Sequence, residues 1–155
     1  MKTKTTITEI THEDLVNLLS TATYSSSWLS CSISKATWSQ LDIQLGDCRE
    51  DVWAKALEAG FPIYVTDHQA EGETYGDKGT VNQDEEESAV YRITMDDVKQ
   101  GIADALDGNI APGDEDEREW AAKCAIHLAD DSSEFDNAEA EALMQIIMFG
   151  SLIYA

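Results

Sequence analysis

An α+β fold, with a small antiparallel β-sheet and four to five helices packed on one side of it, is what this 155-residue sequence predicts. Three observations carry the prediction. Five segments repeat their apolar residues at helical spacing, and three others alternate or are rich in β-branched and aromatic residues. Ser, Thr or Asp followed three residues later by an acid marks the start of several helical segments. The composition is 43% hydrophobic, with four Trp, five Tyr and three Phe, which is apolar mass enough for the packed core of a single domain over 1–155.

The elements follow in order. Thr5 to Ile10 has a short alternating character. Thr11 and Asp14 form an N-cap and N3 pair, with Ile10 and Leu15 as a hydrophobic staple. A helix follows from about His12 to Tyr24, with Leu15, Leu18, Leu19 and Ala22 on one face. From Ser27 to Lys35 the period becomes two, with Leu29, Cys31 and Ile33 opposite three serines, as in a half-buried strand. Glu50 to Ala59 is a short helix carrying Val52, Trp53, Ala56 and Leu57, stopped by Gly60 and Pro62. Pro62 to Asp67 and Ser88 to Met95 are the next two strands. Between them Gln69 to Glu87, with three glycines and an acidic run, reads as a long hairpin loop. Thr94 and Asp97 cap a helix with Val98, Ile102, Ala105 and Leu106, ending near Gly108. After Pro112 and Gly113 the acids Asp114 to Glu117 fill the first turn of a helix that runs through Trp120, Ala121, Cys124 and Leu128, where the macrodipole favours them. Asp136 and Glu139 cap a last helix, Asn137 to about Ile153, with Leu143, Met144, Ile147 and Met148 on one stripe. It is apolar nearly all round towards its end, so it is either central or the contact of a homodimer.

Charge bounds the function. Thirty-one Asp and Glu against ten Lys and Arg give a formal charge of −21; six acids and four bases lie in residues 1–50, leaving 25 acids and six bases beyond them. A domain of this length is roughly 40 Å across. Twenty-one charges at one per about 1.7 Å match roughly 36 Å of B-DNA, close to one turn. Direct binding to nucleic acid or to an anionic membrane is therefore not expected. A basic surface is, such as the nucleic-acid-binding groove of another protein. Twelve Ile against six Val, with seven Lys, argue against a halophile's composition.

The best candidate patch is Asp114, Glu115, Asp116, Glu117 and Glu119. Acids at i, i+3 and i+4 on a helix lie about 5 to 6 Å apart, near the spacing of phosphates along a strand. The run Asp84, Glu85, Glu86 and Glu87 is the second candidate. The plainer reading of both is a solvated helix start and a charged loop. The acids at Asp130, Asp131 and Glu134 to Asp136 read as a cap and turn.

Chemistry is sparse. Cys31, Cys48 and Cys124 are odd in number, without a C-x-x-C pair or a His at ligand spacing, so neither a disulfide framework nor a zinc site is expected. An EF-hand beginning at Asp114 would need Gly at its sixth position and Glu at its twelfth; those positions hold Glu119 and Ile126. His12, His68 and His127 fall at a helix start, a strand end and mid-helix. A Ser-His or Cys-His pair could form only through the fold. P-loop, dinucleotide and nucleophile-elbow motifs are absent, so no enzyme, no cofactor and no metal are expected. Met1 to Glu9 has no apolar stretch, and no apolar run approaches the roughly 18 residues that span a bilayer, so a cytoplasmic protein is expected.

Several segments carry a resemblance. They are the capped first helix, Trp28 and Cys31 in the first strand, Tyr64-Val65-Thr66-Asp67, Tyr91-Arg92-Ile93-Thr94 leading to Gly101-Ile102, and the ending from Ala142 to Ala155. In these the chain resembles a family of small phage and prophage proteins of unassigned function, which typically ends in a leucine-glutamine, apolar, phenylalanine-glycine, apolar, tyrosine pattern. It departs from that family in having Ser25-Ser26-Ser27 where a Gly-Gly turn is usual, and in the stretch Trp38 to Asp51. The resemblance implies a mobile-element context in a host cell and assigns no site residue. With the charge, it is similar to acidic phage proteins that block host nucleases through a DNA-like surface. The expected function is thus an inhibitor of a host defence protein, of anti-CRISPR or anti-restriction type, acting by DNA mimicry. One alternative is a sponge for a signalling nucleotide, with a pocket at Trp28, Trp38 or Tyr64; it would be poorly served by three arginines, Arg49, Arg92 and Arg118. The other is an acidic oligomeric adaptor.

Overall fold

The structure is a computed structural model that describes residues 10–24, 27–82, 87–110, 114–130 and 134–154. In chain order its elements are α1 (His12–Tyr24), β1 (Leu29–Ser32), α2 (Lys35–Trp38), α3 (Arg49–Glu58), β2 (Ile63–Asp67), β3 (Gly79–Val81), β4 (Ala89–Ile93), α4 (Met95–Asp107), α5 (Glu115–Ala129) and α6 (Asn137–Phe149). The strands form one antiparallel sheet in the order β1-β2-β4-β3, so the α+β class holds.

Period-two alternation decides which face of the sheet is covered. Ile63, Val65, Asp67, Ala89, Tyr91 and Ile93 point into the core, and Tyr64, Thr66, Val90 and Arg92 point away from it. Against the covered side lies α6, whose residues from Glu139 to Phe149 are all buried apart from Glu141. It is packed by α1, α4, α5 and β4. Each fully buried Leu, Ile or Met there stabilises the fold by about 1.5–3 kcal/mol. The apolar last helix is therefore the centre of the core within a single chain. At its crossing with α4, Gly101 lies against Ile147; a Cβ at Gly101 would stand 2.4 Å from Ile147 Cγ1 and 2.9 Å from its Cα. The missing side chain lets two helix backbones meet.

Helix starts follow the cap grammar. Thr11 Oγ1 accepts the Asp14 N–H at 3.0 Å, and Asp136 Oδ1 accepts the Glu139 N–H at 2.9 Å. Thr94 and Asp97 form a reciprocal box, and α4 ends on Gly108 at φ 66°.

Several bounds differ from expectation by a residue or two, as where Ser88 to Met95 becomes Ala89–Ile93, and four differences have a clear local reason. The first strand stops at Ser32 rather than Lys35 because Ser34 caps α2, its Oγ accepting the Thr37 N–H at 3.1 Å. The third helix starts at Arg49, one residue early, because the Asp51 carboxylate accepts the Cys48 backbone N–H at 3.1 Å. The segment Gln69 to Glu87, read as loop, contains the edge strand β3. There a Cβ on Gly79 would stand 2.7 Å from the Tyr91 ring, so the glycine leaves room for that ring. The last helix ends at Phe149 instead of near Ile153, because Gly150 turns left-handed at φ 79°. The tail then folds back, and the buried Gln145 Oε1 accepts the N–H groups of both Ile153 and Tyr154 at 2.8 Å. Six helices result among the described residues where four to five were expected. Thr5 to Glu9 lies outside the described residues.

Candidate partner-binding surface and cleft

The principal predicted patch opens α5. Asp114 is the N-cap itself, its Oδ1 accepting the Glu117 N–H at 2.8 Å, so it secures the helix as well as presenting charge. Glu115, Asp116 and Glu119 are exposed and Glu117 is half-buried. None of these five carboxylates forms an ion pair among the described residues. Glu115 and Glu119 stand one turn apart with Asp116 beside them. Exposed Arg118 and Lys123 then break the run, so the acidic ridge on α5 is little more than one turn long.

Of the second patch, Asp84, Glu85 and Glu86 lie outside the described residues. Glu87 is exposed, and its carbonyl accepts the Glu71 N–H at 2.9 Å. The structure thus joins Glu87 to two acids that sequence reasoning passed over, Glu71 and Glu73. All three border a cleft of about 560 Å³, together with His68, Tyr75 and Tyr154.

The cleft is built from the ends of two elements. At the end of β2 the fully buried Asp67 accepts the Gln69 N–H at 2.8 Å and the Tyr154 hydroxyl at 2.7 Å. Gln145 fixes the tail that carries Tyr154. The Tyr154 ring meets Trp28 edge-on at 5.0 Å, Phe149 at 5.9 Å and Tyr75 at 6.1 Å. Tyr75 is held from its backbone, whose N–H donates to the Tyr91 hydroxyl at 2.9 Å. Burial, and then the bond to Asp67, pushes the Tyr154 hydroxyl well above the ordinary tyrosine range. Burial also raises Tyr75, followed by the charge of Glu73. Both rings therefore stay neutral beside the carboxylates. Glu71 holds a left-handed backbone, φ 52°, uncommon outside glycine.

The expected pocket residues do not border this cleft. Trp28 is buried behind Tyr154, Trp38 is 53% exposed, and Tyr64 lies on the outward face of β2 opposite Arg92.

Each histidine finds partners through the fold. His12 Nδ1 meets Glu58 and its Nε2 meets Asp51 at 3.1 Å, tying α1 to α3. The hydrogen bond that its ring donates to the Glu58 carboxylate is the main reason its pKa is raised. His127 lies between Glu139, with Nδ1 at 2.8 Å from Oε2, and Glu134, with Nε2 at 3.2 Å. His68 Nε2 and Ser30 Oγ stand 2.9 Å apart at the exposed end of β1. Its other ring nitrogen has no partner among the described residues, so this pair lacks the orienting group of a catalytic triad. All three cysteines are free and none is activated. Burial pushes Cys31 up and Cys124 up to about 12, and the Asp51 carboxylate raises Cys48. Among the described residues no group of three or more His, Cys, Asp or Glu could hold a metal ion, and no helix is long and apolar enough to cross a membrane.

No family model matches the sequence, and neither a curated protein nor a solved structure matches the chain.

Proposed function

We propose that the protein is a non-catalytic, acidic inhibitor that covers a basic nucleic-acid-binding surface of another protein and competes there with DNA or RNA. The observation that carries this reading is the net charge of −21 on a chain with a well-packed core, together with the exposed carboxylates at the start of α5, which form no ion pair among the described residues. So large an excess opposes compaction, and recognition of a basic surface gives it a use. Host restriction and CRISPR effectors are the targets that the phage-like character of the sequence suggests. A nucleotide sponge is disfavoured by the cleft itself, since Glu71, Glu73 and Glu87 would repel a phosphate. An adaptor joined through the last helix loses its interface, because α6 is enclosed within one chain.

The test is competition. Each candidate effector is titrated with labelled DNA in the presence and absence of the protein, at low and at high salt. Inhibition is expected at low salt, falling steeply as salt rises. DNA affinity unchanged across a panel of restriction and CRISPR effectors at low salt would overturn the proposal. The variant E115Q/D116N/E119Q should weaken inhibition while Asp114 keeps its cap; undiminished inhibition would remove the α5 patch from the interface.

A further inference from the structure

We infer that the cleft between the segment after β2 and the C-terminal tail receives an arginine side chain of the partner, an assignment that rests on the reading just given and names its point of contact. The cavity of about 560 Å³ is roomy enough for a side chain and accompanying water. Its composition is selective. Carboxylates of Glu71, Glu73 and Glu87 border it, and the rings of Tyr75 and Tyr154 supply a neutral aromatic wall. A guanidinium is the cation that uses both surfaces, because it is planar, stacks on aromatic faces and donates in a fork to carboxylates. An ammonium is a compact, strongly hydrated point charge and gains less from the rings.

The site is more than a set of solvated acids because its wall is fixed before any ligand arrives. Gln145 clamps the tail backbone twice, and Asp67 anchors the Tyr154 hydroxyl from beneath. At the rim, the Ser30 hydroxyl 2.9 Å from Nε2 restrains the His68 ring. A prearranged wall reduces the ordering that binding must otherwise impose.

The experiment is an amide-resolved NMR titration of the full chain alone with N-acetyl-arginine amide, alongside its citrulline and lysine counterparts. Citrulline keeps the planar shape without the charge, and lysine keeps the charge without the plane. Arginine should shift the amides of Glu71, Glu73, Tyr75 and Tyr154, with citrulline at least tenfold weaker and lysine several-fold weaker. E71Q/E73Q/E87Q should cut arginine affinity at least tenfold, Tyr75→Leu several-fold, and E115Q/D116N/E119Q not at all. Retained amide dispersion reports that each variant is folded. Equal binding of arginine and citrulline, equal binding of arginine and lysine, or shifts centred on α5 would each overturn the assignment. The titration contains neither effector nor nucleic acid, so it can fail while competition succeeds, and competition can fail while the cleft still binds arginine.

Discussion

Helices α5 and α6 begin alike and end differently. In each an Asp at the N-cap accepts the N–H of a Glu three residues on, Asp114 from Glu117 at 2.8 Å and Asp136 from Glu139 at 2.9 Å. Glu117 then stays half-buried among exposed acids, whereas Glu139 is 7% exposed and is held by the His127 ring of α5. Capping is a local event that four residues settle. Whether the acid three positions on becomes surface charge or internal partner depends on what packs against that turn. A count of carboxylates therefore overstates the charge available for recognition, since Glu139, Asp67 and Glu50 are buried.

The comparison breaks most severely where α6 depends on contact rather than on capping. Gly101→Ala places a methyl against Ile147, backbone included, so α4 and α6 must separate. The loss expected is about 3 kcal/mol, the upper range for overpacking, read as a fall in the urea midpoint. A loss below about 1 kcal/mol, the scale of intrinsic helix propensity and working in Ala's favour, would show that the crossing is looser than described.

Next in size is the contrast between the two N3 acids. Glu139→Ala removes the buried partner of His127 and should cost about 2 kcal/mol, whereas Glu117→Ala should stay within about 0.5 kcal/mol. Equal costs in chemical denaturation would erase the distinction between α5 and α6. By contrast Asp136→Ala and Asp114→Ala should cost about 1 kcal/mol each, because the cap itself is the same at both helices.

These contrasts also explain what the sequence could reveal. Helix starts were legible because caps are short-range: Thr11 with Asp14, Thr94 with Asp97 and Asp136 with Glu139 all stand as read. The strands at Pro62 to Asp67 and Ser88 to Met95 were legible from their β-branched and aromatic residues, but the face they bury, with Asp67 on it, is set by what packs there. What escaped was held by distant partners. β3 is three residues long, too short to show a period, and exists because Gly79 admits the Tyr91 ring. The last helix looked longer than it is because its tail is as apolar as its body, and only the left-handed Gly150 ends it. The acidic run on α5 was visible. Its interruption by Arg118 and Lys123 was visible too, but which residues face solvent follows from packing. The cleft was hidden because Asp67, Tyr75, Gln145 and Tyr154 span most of the chain. Gln145, Phe149, Gly150 and Tyr154 share one task here: they turn the tail and set the aromatic wall.

The smallest expected effect concerns a partly exposed site where two acids of α3 share a histidine of α1. His12 bridges Asp51 and Glu58, and with a carboxylate at each ring nitrogen the imidazolium, which donates from both, is the favoured form. Its pKa is raised above the ordinary 6.5, chiefly by the hydrogen bond to Glu58. A raised value means that the folded state holds the proton more tightly than the unfolded chain. The contribution is then complete below about pH 6.5 and fades as pH rises through the folded-state value. Asp51 has the opposite sign: His12 holds its pKa below the usual 3.8, so its share is present above that value and is lost on acidification. The bridge should therefore be strongest between about pH 4 and 6.5, and modest even there because the imidazole is 39% exposed. His12→Gln should lower Tm slightly at pH 5.5 and leave it nearly unchanged at pH 8.5. A Tm difference of the same size at both pH values would show that His12 joins α1 to α3 by packing alone.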